Sequence, residues 1–145
     1  MATEEHNSVE TVVSLAAREA VEAGYSQITT AHLLIALSRA SEGMDSCDSL
    51  SSEDLRREFE HLGIQPRTFR RRLRVMLGRG ESKASREVLH RSPTCRAVFA
   101  AAEQVASAAG APLTPVLLLR SVFASFGDHE AGENTATTDD IPAEL

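Results

Sequence analysis

The sequence contains no tryptophan, a single tyrosine and only 4% aromatic residues in all. So low an aromatic content argues against a surface that stacks nucleobases or sugars. Cysteine is also scarce. Cys47 and Cys95 lie far apart, in no zinc-binding spacing, and two thiols do not make a disulfide scaffold. We therefore expect two reduced thiols in a cytoplasmic protein.

Long apolar runs are absent as well. The longest falls far short of the roughly 18 residues that a membrane-spanning helix needs. Residues 1–8 are polar and acidic, with no positive region followed by an apolar one, so we expect neither a secretory signal peptide nor a membrane partner. Hydrophobic residues still make up 42% of the chain, enough to bury a core.

Acidic residues outnumber basic ones by 21 to 15, and the excess lies at one end of the chain. Residues 128–145 hold six acidic residues and no lysine or arginine, which leaves 15 of each sign in the rest. Like charges without apolar periodicity favour an extended segment. We predict one folded domain over 1–127, followed by a flexible acidic tail or linker over 128–145.

Apolar residues recur at steps of three and four along most of the chain, which is the pattern of amphipathic helices. Prolines follow capping residues at several predicted helix starts, and glycines mark predicted ends. No strand pattern competes, so the predicted fold class is all-α. The predicted helices run from a cap at Asn7 to Gly24, from Thr29 or Thr30 to about 40, from Ser51 to Gly63, from Pro66 to Gly78, and over about 93–109 and 115–126.

The first predicted helix recurs later in the chain, since residues 9–24 align with 95–110. The identical positions share one helical face and end at the same glycine, after which a capping threonine and a leucine-rich helix follow in both copies. Any two alanine-rich helices share some positions, but the ordered Gly, Thr and Leu matches favour a true repeat. The aligned pairs are Val12/Val98, Ala16/Ala102, Ala20/Ala106, Ala23/Ala109, Gly24/Gly110, Ile28/Leu113, Thr29/Thr114, Leu33/Leu118, Leu34/Leu119 and Leu37/Val122.

The segment 24–34, GYSQITTAHLL, resembles the repeat of the Clp N-terminal domain family. Leu62–Ile64 is similar to a later segment of that repeat, and Ser92–Pro93 to the start of the second one. The resemblance covers about 6–126. It implies a helical domain of two pseudo-symmetric Clp-type repeats, one at about 6–78 and a degenerate or shortened one at about 92–126.

In that family the domain stands at the N-terminus of AAA+ Clp unfoldases and disaggregases, or alone as an accessory subunit of Clp proteases. It captures unfolded substrate proteins or adaptors and passes them to the ATPase ring. The resemblance therefore implies a non-catalytic protein-binding domain, with any ATPase activity in a separate AAA+ module and Clp ATPase or protease subunits as further partners.

The sequence departs from the family pattern in both repeats. Ala31 replaces the glutamate of the family's Thr-Glu-His, and the second repeat reads Thr114–Leu117, without a carboxylate. Those acids bind phosphorylated arginine in some relatives, so we do not expect that activity here. The two helices that the family has after Leu119 are replaced by the acidic tail.

Residues for catalysis, cofactor binding or metal binding are not apparent. The only lysine, Lys83, lies in no Walker A spacing, and the five histidines show no metal-ligand spacing. His32 begins an apolar helix and aligns with Leu117 in the second repeat, which favours a half-buried packing or capping role. We predict no enzyme activity, no cofactor and no metal.

The alternative function is nucleic-acid binding. Residues 52–77 have the pattern of a helix-turn-helix, with six arginines between 67 and 79 and the arginine-rich helix 66–77 as its recognition helix. The opposing interpretation is a solvated face formed by Arg67, Arg70, Arg71 and Arg74. Outside its acidic tail the domain has no net charge, which favours the solvated face over DNA binding. We therefore do not expect a nucleic-acid partner.

A protein-binding groove is predicted where the two-fold relation brings equivalent elements together, at the first helices and the threonine-led turns. Small residues there leave shallow apolar grooves that suit a helix or an extended segment. This placement rests partly on the family resemblance. The predicted groove residues are Val9, Val12, Ile28, Thr29, Ala31, Leu113, Thr114 and Pro115.

Overall fold

The computed structural model describes residues 2–43, 49–80 and 89–132, and these form six helices and two very short strands. The all-α prediction is therefore confirmed. In chain order the elements are α1 (Ala2–Glu22), β1 (Gln27–Ile28), α2 (Thr30–Ser41), α3 (Ser49–His61), α4 (Pro66–Leu77), β2 (His90–Arg91), α5 (Pro93–Ala108) and α6 (Pro115–Gly132).

Side-chain caps begin the later helices where the sequence predicted them. The Gln65 side chain accepts a hydrogen bond from the Thr68 amide at 2.7 Å, and the Ser92 side chain accepts one from the Cys95 amide at 3.2 Å. Each cap satisfies an amide that lacks a partner in the first helical turn. The following proline adds a backbone angle already suited to the helix.

Three helix ends differ from the prediction, the smallest difference being the start of α3 at Ser49 instead of Ser51. The first helix begins at Ala2, so Asn7 lies inside α1 rather than capping it. Acidic residues early in a helix interact favourably with its dipole, which supports the longer start. The last helix continues to Gly132, past the predicted end at about 126. The predicted tail therefore begins as backbone of α6, and its part over 133–145 lies outside the described residues.

Helix α2 occupies the centre of the fold. Every one of its residues except Arg39 is buried, and it packs against all the other helices that the structure describes. A helix buried on nearly every side is typical of a central position in a helical domain. Helices α1 and α5 are the first helices of the two repeats, and α2 and α6 are the second helices.

The repeat is visible in backbone hydrogen bonds as well as in residue identities. The Tyr25 amide donates to the Ala20 carbonyl, and the Ala111 amide donates to the Ala106 carbonyl, both at 2.9 Å. Each bond closes the same type of helix-ending turn around a glycine with positive φ. The two alanines are themselves buried. The predicted repeat thus has the same local geometry in both copies.

Two backbone links hold the repeats and helices in register. Strands β1 and β2 pair in parallel, and the Ser92 amide donates to the Ile28 carbonyl at 2.9 Å. At the end of α1, the Gly80 amide donates to the Ala23 carbonyl at 2.7 Å. Gly24 has φ +83°, and a Cβ there would lie 2.5 Å from the Gly80 oxygen. Only glycine fits this close approach.

Because both repeat alanines are buried where helices end, a larger side chain at either position should overpack the core. Ala20→Leu and Ala106→Leu should each lower the free energy of unfolding by about 1–3 kcal/mol, measured by urea denaturation. The control is Ala101→Leu, at an exposed position of α5, which should change it by less than about 0.5 kcal/mol. Equal effects at all three positions would contradict the packing role of the repeat alanines.

Candidate functional site

The threonine-led turn of the first repeat is a reciprocal cap. The Thr29 hydroxyl oxygen accepts a hydrogen bond from the His32 amide at 3.3 Å, while the Thr29 amide donates to His32 Nδ1 at 3.0 Å. This is a capping box in which histidine takes the place usually held by glutamate or glutamine. Since Nδ1 accepts from an amide, the imidazole is neutral and carries its proton on Nε2.

The surroundings of His32 are unusually dry for a titratable group. Its side chain is fully buried, and its ring meets the edge of the Tyr25 ring at a centroid distance of 4.8 Å. Nε2 has no hydrogen-bond partner among the described residues. Burial lowers the pKa of His32 from 6.5 to about 4, and the nearby Glu19 carboxylate opposes that shift only in part. The predicted capping role is present, with full rather than half burial.

The corresponding turn of the second repeat keeps only half of this arrangement. The Thr114 hydroxyl accepts a hydrogen bond from the Leu117 amide at 3.3 Å. Leu117 stands where the first repeat has His32, so no side chain returns a bond to the threonine amide. The two turns share a backbone geometry and differ in chemistry.

The residues predicted to line a groove fall into two groups that differ in solvent exposure. Five are buried, so in this conformation they belong to the core or to its caps and offer no open surface. The other three are half-exposed and lie on α1 and on the turn before α6. The buried residues are Val12, Ile28, Thr29, Ala31 and Pro115, and the half-exposed ones are Val9, Leu113 and Thr114.

A buried carboxylate, not singled out in the sequence, joins three helices. Glu19 on α1 is only 8% exposed and accepts two hydrogen bonds from Arg74 on α4, at 2.7 and 3.0 Å. Arg39 on α2 approaches the same carboxylate at 3.8 Å. The hydrogen bonds to Glu19 are the main reason that the pKa of Arg74 is raised. The sequence signal that could have identified Glu19 is its position beside the repeat alanine Ala20, on the buried face of α1.

A second arginine of α4 also pairs with an acid. Arg70 is buried, with its guanidinium 2.8 Å from Glu42 and 3.3 Å from the Ser38 hydroxyl. The expected solvated face of four arginines is therefore wrong for Arg70. Arg67, Arg71 and Arg74 of that face are exposed, although Arg74 also binds Glu19, and Arg72 is exposed as well. This arrangement accounts for α4 within the domain and gives the helix-turn-helix alternative no support.

Searches for other chemistry in the described ranges add little. No group of three or more His, Cys, Asp or Glu there could hold a metal ion. No described helix is long and apolar enough to cross a membrane. Cys95 is buried and forms no disulfide with a described residue, and Cys47 lies outside the described residues.

A family model described as the Clp repeat (R) N-terminal domain matches residues 6–112, which include most of α1, all of α2 to α5 and the turns that end both first helices. The match covers more than half of the chain. No curated protein matches it.

The pKa of His32 implies a pH-dependent stability. A histidine that titrates at 6.5 when unfolded and at about 4 when folded binds more protons in the unfolded state between those values. Stability should therefore fall as the pH drops from about 6.5 to about 4, by about 3 kcal/mol in all. We expect His32→Gln, which retains an acceptor for the Thr29 amide, to lose this dependence.

The measurement is urea unfolding of both proteins at pH 7.5 and 4.5, which separates His32 from the carboxylates common to both. The stability lost on acidification should be smaller in His32→Gln by about 2–3 kcal/mol. Parallel losses in the two proteins would show that His32 is not the titrating group.

Proposed function

The chain belongs to the Clp repeat N-terminal domain family, and from that membership we propose that it captures substrate proteins or adaptors for a Clp-type AAA+ unfoldase or protease. The observation that carries the proposal is the family match across the first helices of both repeats. Domains of this family are non-catalytic and bind substrates or adaptors of Clp ATPases. ATP-driven steps would fall to an AAA+ module outside this sequence, which has no Walker A motif.

We propose that the binding surface lies where α1 and the start of α6 expose apolar side chains. Val9 and Val13 on α1, and Leu113, Val116 and Leu117 around the start of α6, are partly buried against the core and partly open. Helices α1 and α6 are in contact, which supports one continuous surface. A partner's apolar residues would cover these side chains and remove their remaining exposed area from water.

Such a surface suits transient capture. Each side chain is already half-buried, so covering it adds less than the roughly 1.5–3 kcal/mol of a fully buried leucine. A few contacts of this size, less the entropy lost on association, give modest affinity. Modest affinity fits a domain that has to release its cargo to an ATPase ring.

Recognition of phosphorylated arginine is not part of the proposal. That chemistry needs a carboxylate to pair with the guanidinium, and Ala31 supplies none. Ala31 is also fully buried within the first turn of α2. The corresponding position of the second repeat is Val116, which is apolar too.

The proposal can be tested with a permanently unfolded basic protein, such as reduced and alkylated lysozyme carrying a fluorophore. Leu113→Glu places a charge on the proposed surface and should weaken binding at least about fivefold, measured by fluorescence anisotropy. Leu113 is only partly buried against the core, so the domain should tolerate a glutamate there better than at a fully buried position. The fully buried Val12 is unsuitable for this purpose, because a glutamate there would destabilise the core.

The matched control is Val105→Glu, which introduces the same charge at an exposed position on α5. It should leave binding of the unfolded basic protein within about twofold of the parent chain. Equal weakening by both substitutions, or no binding by the parent chain, would contradict the proposed surface.

A further inference from the structure

The outward side of α4 carries an unusual set of residues. Arg67, Arg71 and Arg72 are exposed there together with Val75, and we refer to these four residues as the α4 arginine face. Steps of three and four along a helix bring side chains together, so Val75 lies next to both Arg71 and Arg72. The face thus combines three guanidinium groups with one apolar side chain.

The charges of this face have no counter-charge in the described structure. None of the three arginines pairs with an acid in the described parts of the chain, and the sequence has no Asp or Glu from residue 61 to 80. Exposed arginines elsewhere behave differently: Arg56 and Arg57 on α3 lie within 4 Å of Glu53. Arg70 and Arg74 bind Glu42 and Glu19. Within the described residues, the α4 arginine face is left without a compensating acid.

Val75 adds a second requirement for a partner. It is 76% exposed, the highest value among the exposed large hydrophobic residues of the described structure. Single apolar residues on a surface are common, but this one lies within a basic cluster and not among neutral polar groups. An arginine cluster with an apolar neighbour complements a segment that carries acids and at least one apolar side chain.

We propose that the α4 arginine face binds an acidic segment of a partner protein, with Val75 contacting an apolar residue of that segment. The inference rests on the proposed function, because it names the chemical class of one of the captured substrates or adaptors. Charge complementarity provides the attraction and the bidentate arginine–carboxylate geometry provides selectivity.

The environment of the α4 N-terminus favours an acidic peptide over nucleic acid as the occupant. A recognition helix reads bases with its N-terminal residues. The concave surface at the N-terminus of α4 is lined by Glu42, Glu60 and Arg56 beside Gln65 and Pro66. Glu42 is paired with Arg70 and Glu60 offsets Arg56, so this surface offers phosphates no net positive charge.

The test uses the full chain and a fluorescein-labelled peptide of about twelve residues, half of them acidic and two of them leucine, read by anisotropy. Arg71→Gln with Arg72→Gln should weaken binding at least about tenfold and make it less dependent on salt between about 50 and 200 mM. Arg56→Gln with Arg57→Gln removes the same charge from α3 and should change binding less than about twofold. Val75→Ser should weaken binding about threefold without altering the salt dependence.

Several results would overturn the proposal. One is that the Arg71/Arg72 and Arg56/Arg57 substitutions weaken peptide binding equally, and another is that a peptide with amides in place of its acids binds as tightly. A third is that a short DNA duplex binds more tightly than the peptide and that the Arg71 and Arg72 substitutions abolish this binding. A further contrary result concerns the double variant Asp139→Asn with Asp140→Asn. If it binds the peptide more than about tenfold more tightly, the occupant is the chain's own acidic segment instead.

The two proposals fail separately. Leu113→Glu should leave binding of the acidic peptide unchanged, and the Arg71 and Arg72 changes should leave capture of the unfolded basic protein unchanged. If only the peptide experiment fails, the proposal for the α4 arginine face is wrong and the proposed surface at α1 and α6 stands. If only the unfolded-protein experiment fails, the surface at α1 and α6 is wrong and the α4 arginine face stands.

Discussion

The complete burial of α2 is the constraint on which the rest of the structure depends. A helix packed on every side cannot leave its terminal amides or its polar side chains to water. Thr29 and His32 therefore cap its start, and Ser38 and Ser41 donate their hydroxyl hydrogens to carbonyls one turn back within the helix. The capping histidine is fully buried as a consequence, and its neutral state follows from the same burial.

The same central helix determines which arginines of α4 reach solvent. Packing of α4 against α2 places Arg70 beside Glu42, and Arg74 reaches Glu19 on α1. Removing one partner of a buried ion pair is costly, so these contacts favour one orientation of the helix. With Arg70 and Arg74 held by these acids, the other three arginines are exposed together with Val75. Core packing and the charged surface are thus two results of one helix orientation.

The two repeats share the backbone hydrogen bonds of their turns but differ in the side chains that these turns carry. Both first helices end in the same hydrogen-bonded turn, and both threonines cap the following helix. Only the first repeat has a histidine that completes the cap, and neither repeat has the family's glutamate. The surface that we propose for capture is consequently apolar, and the acid-recognising chemistry lies on α4, outside the repeat turns.

The sequence by itself determined the helix class, most helix boundaries, the repeat and the family resemblance, because these depend on contacts within a few residues. Proline and glycine restrict the backbone locally, and a capping side chain reaches only about three residues. The tertiary structure alone decided that Val12 and Ala31 are buried, that Arg74 binds Glu19, and that β1 pairs with β2. These features join segments far apart in the chain. Residue type and helical periodicity mark a side as apolar or charged, but the partner that covers it comes from elsewhere in the fold.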